Sequence, residues 1–352
     1  MASGTESVQP AEAVPAAVST QPLLAVEDLT TVFPTNKGLA IASNAISFVL
    51  GAGETMGLVG ESGSGKSVTC RSILGLVPEP GRIVGGSVRF QGRELLTLSE
   101  RALRSLRGAE ISMIFQDPMS SLNPVYSVGE QITEPLRIHR GLTRRAAREE
   151  AVRLLQRVEI PAARARVESY PHELSGGMRQ RVMIAIAISC RPKLLLADEP
   201  TTALDVTIQD QILSLLLELQ AEEGMAILLV SHDLGVIAQT CDRVAVMYAG
   251  YVVEEAGTEV LFARPAHPYT VALLQALPEL AAQREDRRLV PIRGQPPDLV
   301  GLPEGCPFAP RCDLARPACA EVSMELLELA PGHGTACPFR EATPVSDTET
   351  EV

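Results

Sequence analysis

Tryptophan is missing from this 352-residue chain, and aromatic residues make up only 3% of it. A core must therefore be built mainly from aliphatic side chains, and hydrophobic residues at 45% are plentiful enough for a sizeable one. A basic surplus is also missing: 31 Lys and Arg stand against 43 Asp and Glu, a net charge of −12. That balance argues against a nucleic-acid partner, which would need a clustered basic surface. No apolar run approaches the roughly 18–20 residues that span a bilayer. The opening stretch, rich in Ala, Val, Pro and Ser, has neither the basic start nor the continuous apolar run of a signal peptide. It reads as a disordered tail over 1–22, and the protein as cytosolic, with any membrane role arising through partners. Cysteine is sparse until the end, where four of the seven cluster.

What is present is organised around Gly60-Glu61-Ser62-Gly63-Ser64-Gly65-Lys66-Ser67, which fits the phosphate-binding loop pattern G-x-x-x-x-G-K-[ST]. The run Thr55-Met56-Gly57-Leu58-Val59 before it predicts a strand, and Ser67-Val68-Thr69-Cys70 onward predicts a helix ending near Leu76. Glycines let successive N–H groups turn toward one centre, and a helix N-terminus adds positive potential there. Gly60, Ser62, Gly63, Ser64, Gly65 and Val68 would line the cradle. Lys66 would reach the β- and γ-phosphates of ATP, and the Ser67 hydroxyl would ligate Mg²⁺.

Along the chain, the segments from Leu23 to Phe33 and from Ile41 to Leu50 read as strands, with Gly51 and Gly53 marking a hairpin turn into the phosphate-loop strand. Phe33 could stack on an adenine or serve as an ordinary core aromatic. Ile83 to Phe90 is a further strand, and Glu110 to Phe115 another that ends at Gln116, whose amide could point into a nucleotide site. The segment from Ser127 to Pro192 looks helical. Ala147, Ala151, Leu154, Leu155 and Val158 recur at helical spacing after a cap at Thr143. Within it, Leu174-Ser175-Gly176-Gly177-Met178-Arg179-Gln180 opens a helix and offers either a second anion-binding N-terminus or a plain cap. The strand ending Ala197-Asp198-Glu199-Pro200 places Asp198 to hold Mg²⁺, directly or through water, and Glu199 to orient or deprotonate a water in line with the γ-phosphate. Asp205 follows in Pro-Thr-Thr-Ala-Leu-Asp. A helix over Ile208 to Leu219 ends at Gly224, and a buried strand from Met225 to Ser231 leaves His232 at its tip, where it could bond a γ-phosphate.

Taken together, and in this order, the motifs resemble the nucleotide-binding subunit of ATP-binding-cassette (ABC) transporters over roughly Leu23 to Phe262. The resemblance implies an α/β fold, a P-loop NTPase ABC nucleotide-binding domain with an antiparallel β subdomain and a helical subdomain at about 120–190. It implies two such subunits meeting head to tail, with the phosphate loop, Gln116, Asp198, Glu199 and His232 of one facing Ser175 and Gly177 of the other. Asp205 would lie near the seam. Glu199 would be the catalytic base, and His232 would hold the γ-phosphate and the attacking water. Gln116 would join Ser67 and Asp198 at Mg²⁺ and couple the site to a membrane partner. Phe33 gains weight as the adenine-stacking aromatic.

The last part of the chain is similar to the extension of the oligopeptide/dipeptide importer ATPases: His267-Pro268-Tyr269-Thr270, Ile292-Arg293-Gly294-Gln295-Pro296-Pro297 and Gly305-Cys306-Pro307-Phe308-Ala309-Pro310-Arg311-Cys312. That resemblance implies a second, different ATPase subunit, two transmembrane permease subunits and an extracytoplasmic peptide-binding protein, with this chain peripheral on the cytoplasmic face of the cell membrane. Import of nickel or a glycoside, or a soluble non-transport ATPase, are the competing expectations. Cys306, Cys312, Cys319 and Cys337 are separated by five, six and seventeen residues. Stable disulfides do not suit the cytosol, and four thiolates suit zinc or an iron–sulfur cluster. The resemblance favours [4Fe–4S]. The expected organisation is a tail over 1–22, the ATPase domain over 23–262, the Cys-rich extension over 263–340 and an acidic tail over 341–352.

Overall fold

The computed structural model describes residues 21–117, 121–202, 204–277 and 290–339. The tails expected at 1–22 and 341–352 lie outside them, apart from Gln21 and Pro22. In chain order come strands β1 (Leu24–Thr35), β2 (Gly38–Leu50) and β3 (Thr55–Val59), then helix α1 (Lys66–Ile73). Next are β4 (Arg82–Phe90), β5 (Arg93–Glu94), α2 (Glu100–Leu106) and β6 (Ile111–Ile114). A helical block follows: α3 (Val128–Arg140), α4 (Arg144–Arg157), α5 (Ala163–Arg166) and α6 (Gly176–Ile188). The chain then alternates through β7 (Leu194–Asp198), α7 (Val206–Glu223), β8 (Ala226–Ser231), α8 (Leu234–Thr240), β9 (Arg243–Tyr248) and β10 (Tyr251–Gly257). Last are α9 (Thr258–Ala263), α10 (Pro268–Gln275), β11 (Leu327–Ala330) and β12 (His333–Thr335).

These strands form two sheets, one antiparallel in the order β2-β1-β4-β5 and one larger in the order β11-β12-β10-β9-β3-β8-β7-β6. In the larger sheet β9, β3, β8, β7 and β6 run parallel. Parallel strands covered on both faces read as continuous apolar runs, and β3, β7 and β8 are buried at every residue. Their side chains alternate between two cores, as strand geometry requires. Met56, Leu58, Leu194, Leu196, Leu228 and Val230 face the core shared with the antiparallel sheet. Val59, Leu195, Ala197, Ile227 and Leu229 face the core shared with the helical block. The expected hairpin at Gly51 and Gly53 is not one: β2 and β3 belong to different sheets, and the turn carries the chain from one to the other.

Local signals place the helices. Ser127 and Glu130 cap α3 reciprocally. Thr143 caps α4, and Gly224 closes α7, both as the sequence predicts. Among the described residues no helix is long and apolar enough to cross a membrane.

The C-terminal extension continues the large sheet. Glu254 and Glu255 of β10 pair with Thr335 and Gly334 of β12, and Ile41 donates to the Leu299 carbonyl at 3.1 Å. His333 lies in β12 with Nε2 2.9 Å from the carboxylate of Glu254. Glu254 is fully buried and also accepts from the Ala266 and His267 amides, so it fastens the extension to the ATPase sheet.

Candidate functional site

β3 delivers the phosphate loop to the C-terminal edge of the parallel strands, and the loop turns directly into α1. Two of its glycines are dictated by space. Gly60 has φ 150° and a Cβ there would stand 2.1 Å from the Met247 carbonyl; Gly65 has φ 107° and a Cβ would stand 2.1 Å from the Ala42 carbonyl. Gly65 caps α1 without a side-chain bond, which leaves the N–H groups of Lys66, Ser67 and Val68 without helical acceptors. Lys66 is buried, and its ammonium donates to the carbonyls of Gly60 at 2.7 Å and Glu61 at 3.0 Å. Burial holds its pKa below the ordinary lysine value, while Glu199, Asp198 and Glu61 pull it upward.

Opposite the loop stands the end of β7. The Ser67 hydroxyl donates to Asp198 Oδ1 at 2.7 Å. Asp198 is wholly buried, its Oδ2 has no hydrogen-bond partner, and burial raises its pKa despite the Ser67 bond. An orphaned carboxylate oxygen beside a serine hydroxyl, in a site where Lys66 faces the two acids Asp198 and Glu199, is a donor set that fits a hard divalent cation. Glu199 follows in a left-handed backbone conformation, φ 47°, held by its N–H bond to the Val230 carbonyl at 3.1 Å. Three groups converge on its Oε2: Gln116 Nε2 at 2.9 Å, Thr202 Oγ1 at 2.8 Å and His232 Nδ1 at 3.4 Å.

The structure thus gathers Lys66, Ser67, Asp198, Glu199, Gln116 and His232 in one place. It puts the other predicted residues elsewhere. Ser175 caps α6, Asp205 caps α7, and together with Gly176 and Gly177 they line a separate, open hollow. Phe33 is half-buried with its ring packed over Gly81, in the antiparallel sheet.

Two regions of the chain match family descriptions: "ABC transporter" over 43–202 and "Oligopeptide/dipeptide transporter, C-terminal region" over 253–319. The chain is 53% identical over 315 residues to the oligopeptide transport ATP-binding protein OppD of Salmonella typhimurium, covering 90% of this chain and 93% of that protein. The chain belongs to the ATP-binding subunits of the oligopeptide/dipeptide family of ABC transporters. The OppD protein of Haemophilus influenzae is 51% identical over 298 residues, 85% of this chain and 91% of its own length. Among solved structures, the dimeric ABC cassette MJ0796 bound to ADP and Pi superposes with a TM-score of 0.61 at 28% identity, covering 67% of this chain and 98% of that one. CbiO1 of Clostridium perfringens, from an ABC transporter complex, gives 0.59 at 27% identity, covering 76% and 96%. An ABC ATPase subunit hydrolyses ATP.

Sequence reasoning missed several residues of this ATPase site. Thr202 sits in the run quoted for Asp205, and only the fold shows its hydroxyl on Glu199. Glu61 was one variable position of a loop pattern, yet its N–H donates to the Tyr269 hydroxyl at 2.8 Å and its carboxylate takes both ends of the Arg311 guanidinium. Those partners lie 208 and 250 residues away, so no local pattern could reveal them.

The four C-terminal cysteines line one small cavity with His267, Phe308, Leu314 and Phe339. None is bridged. Burial pushes the Cys306 thiol up to about 11 and raises Cys312 and Cys337 as well. Among the described residues no three of His, Cys, Asp or Glu are gathered tightly enough to hold a metal ion. The other three cysteines differ among themselves: Cys70 and Cys241 are buried, and Cys190 is half-buried, just past the end of α6.

Proposed function

We propose that this chain hydrolyses ATP to energise the import of di- and oligopeptides through a membrane transporter, from the cytoplasmic face of the cell membrane. The convergence of Gln116, Thr202 and His232 on one oxygen of Glu199, beside the phosphate loop, is the observation that carries the catalytic part. The names of the relatives and the match of the C-terminal region support the choice of peptide.

Residue roles follow from position. The N–H groups from Gly60 to Val68 cradle the phosphates of ATP, and Lys66 exchanges its loop carbonyls for phosphate oxygens. Ser67 and Asp198, with Gln116, hold Mg²⁺, which when bound neutralises phosphate charge. Glu199 takes the proton of the attacking water; His232 bonds the γ-phosphate and that water; Gln116 and Thr202 fix the carboxylate. Phe33 stacks on adenine. Ser175, Gly176 and Gly177, with Asp205 at the seam, complete the site of a second ATPase subunit placed head to tail, so each ATP is enclosed by two chains. The assembly includes two permease subunits and receives peptide from an extracytoplasmic binding protein.

The finer reading of the cysteine cavity is a [4Fe–4S] cluster on Cys306, Cys312, Cys319 and Cys337. Four unbridged thiols around a single cavity support it. When bound, such a cluster supplies a one-electron redox centre. Iron and acid-labile sulfide in anaerobically purified protein, both lost in Cys319→Ser, are the expected result; iron-free wild type would remove the cluster from the reading.

The main test is uptake of labelled di- and oligopeptides by cells carrying this chain as wild type or Glu199→Gln. Uptake is expected with the wild type and not with the variant. Normal peptide uptake in the variant, together with loss of nickel or glycoside uptake, would reassign the cargo.

A further inference from the structure

We propose that Arg311 is a positioning residue for nucleotide binding: with Tyr269 it grips Glu61 and so sets the shape of the phosphate loop from the C-terminal extension. Every polar group of Glu61 is engaged. Its N–H donates to Tyr269 Oη at 2.8 Å. Its carboxylate oxygens accept from Arg311 Nη1 at 2.5 Å and Nη2 at 2.9 Å, a two-pronged ion pair. Its carbonyl accepts from Lys66 Nζ at 3.0 Å and from the Ser64 amide at 3.2 Å. Two of these three attachments come from residues beyond position 262, outside the cassette proper.

The grip is rigid because Arg311 is itself immobilised. Its side chain is 5% exposed against 24% for Glu61. Nε donates to the Arg293 carbonyl at 2.7 Å and Nη1 also reaches the Tyr248 hydroxyl at 3.2 Å. The guanidinium carbon lies 5.7 Å from the Tyr248 ring centre and 5.9 Å from that of Phe308, within cation–π range. The Tyr248, Tyr269 and Phe308 rings pack on one another at 4.6–5.3 Å. Arg311 ends the turn Ala309–Arg311, which runs between two of the cavity cysteines, Cys306 and Cys312.

The loop needs such a hold. Ser62 and Gly63 are exposed, and a Cβ at Gly63 would meet nothing within 4 Å, so the crest of the loop has no packing of its own. A cradle of N–H groups binds phosphate well only if its shape exists before the ligand arrives, since ordering it on binding subtracts from affinity. The planar, two-pronged guanidinium fixes a carboxylate in direction as well as distance, which an ammonium does not.

The test uses the full-length chain and rests on its binding of ATP, not on the peptide cargo, so failure of either can be told apart. ATP affinity is measured by titration calorimetry with Mg²⁺ present, alongside KM, kcat and the melting temperature. Arg311→Ala is expected to raise Kd and KM about tenfold, the equivalent of roughly 1.4 kcal/mol, with kcat within about threefold of wild type; Arg311→Lys should recover part of the loss. Glu61→Gln should weaken binding similarly, and the double variant Glu61→Gln/Arg311→Ala should be no weaker than the worse single one. A lower melting temperature with unchanged Kd and KM would make Arg311 merely structural and overturn the proposal, as would additive effects in the double variant. Should Arg311→Ala fail to fold, Glu61→Gln decides: wild-type ATP affinity in it overturns the proposal.

Discussion

Lys66 and Asp198 are 5% and 0% exposed, whereas Ser175, Gly176 and Asp205 lie open to solvent. In the proposed function both groups serve one reaction, yet the fold treats them in opposite ways. The phosphate-loop half is assembled inside the chain: Lys66 and Ser67 open the helix that follows β3, the two acids close β7, and β3 and β7 flank β8 in the parallel sheet; the Ser67 hydroxyl joins the two parts at Asp198, while Lys66 donates to the Gly60 carbonyl. The signature half ends on water. Ser175 spends its hydroxyl on the Met178 amide, Asp205 spends its carboxylate on the Ile208 amide, and next to them Val206 is 74% exposed. In the proposed function the inward half holds the nucleotide and the outward half meets the one held by a second subunit.

Three substitutions would break or sharpen that contrast, in descending order of effect. Glu199→Gln strikes the inward half at the proton acceptor. It is expected to cut ATP turnover by about 10²–10⁴-fold while leaving ATP affinity nearly unchanged, as seen by steady-state hydrolysis and equilibrium binding; wild-type turnover would take the base role from Glu199. Gly176→Val strikes the outward half. A Cβ at that position would find only Leu204 Cδ2 at 3.7 Å, an ordinary contact, so the chain itself accommodates the change. Turnover of the assembled transporter should drop about tenfold or more through the clash with the opposing nucleotide, whereas the isolated chain should bind ATP as before. Weakened binding by the isolated chain would mean that the signature acts within its own subunit and would collapse the distinction. Thr202→Val is the mildest, removing one of three bonds to the Glu199 carboxylate, worth about 1.5 kcal/mol, and should slow turnover about tenfold with KM unaltered. An effect as large as that of Glu199→Gln would promote Thr202 from support to participant.

Most of the inward half was legible in the sequence because it is local. A glycine-rich loop needs particular residues at particular spacings, and an acidic pair closing an apolar strand stands out in five letters. Helix limits were legible at Thr143 and Gly224 for the same reason, each being a cap whose chemistry acts within one turn. The misread turn at Gly51 and Gly53 shows the limit of such reasoning: turn residues say that the chain reverses, not which sheet receives it. His333 shows it again, since its partner Glu254 lies 79 positions away.

By itself, then, the sequence determined the composition of the cassette, the order of its motifs and the chemistry each could perform, because those depend on residue types a few positions apart. Only the tertiary structure decided which motifs share a site. It brought Gln116, Thr202 and His232 onto a single oxygen of Glu199, set Ser175 and Asp205 apart in another hollow, and laid Arg311 against the phosphate loop. The physical reason is that parallel strands are joined by long crossovers, so the neighbours β3, β8 and β7 present their ends side by side although the sequence keeps them far apart.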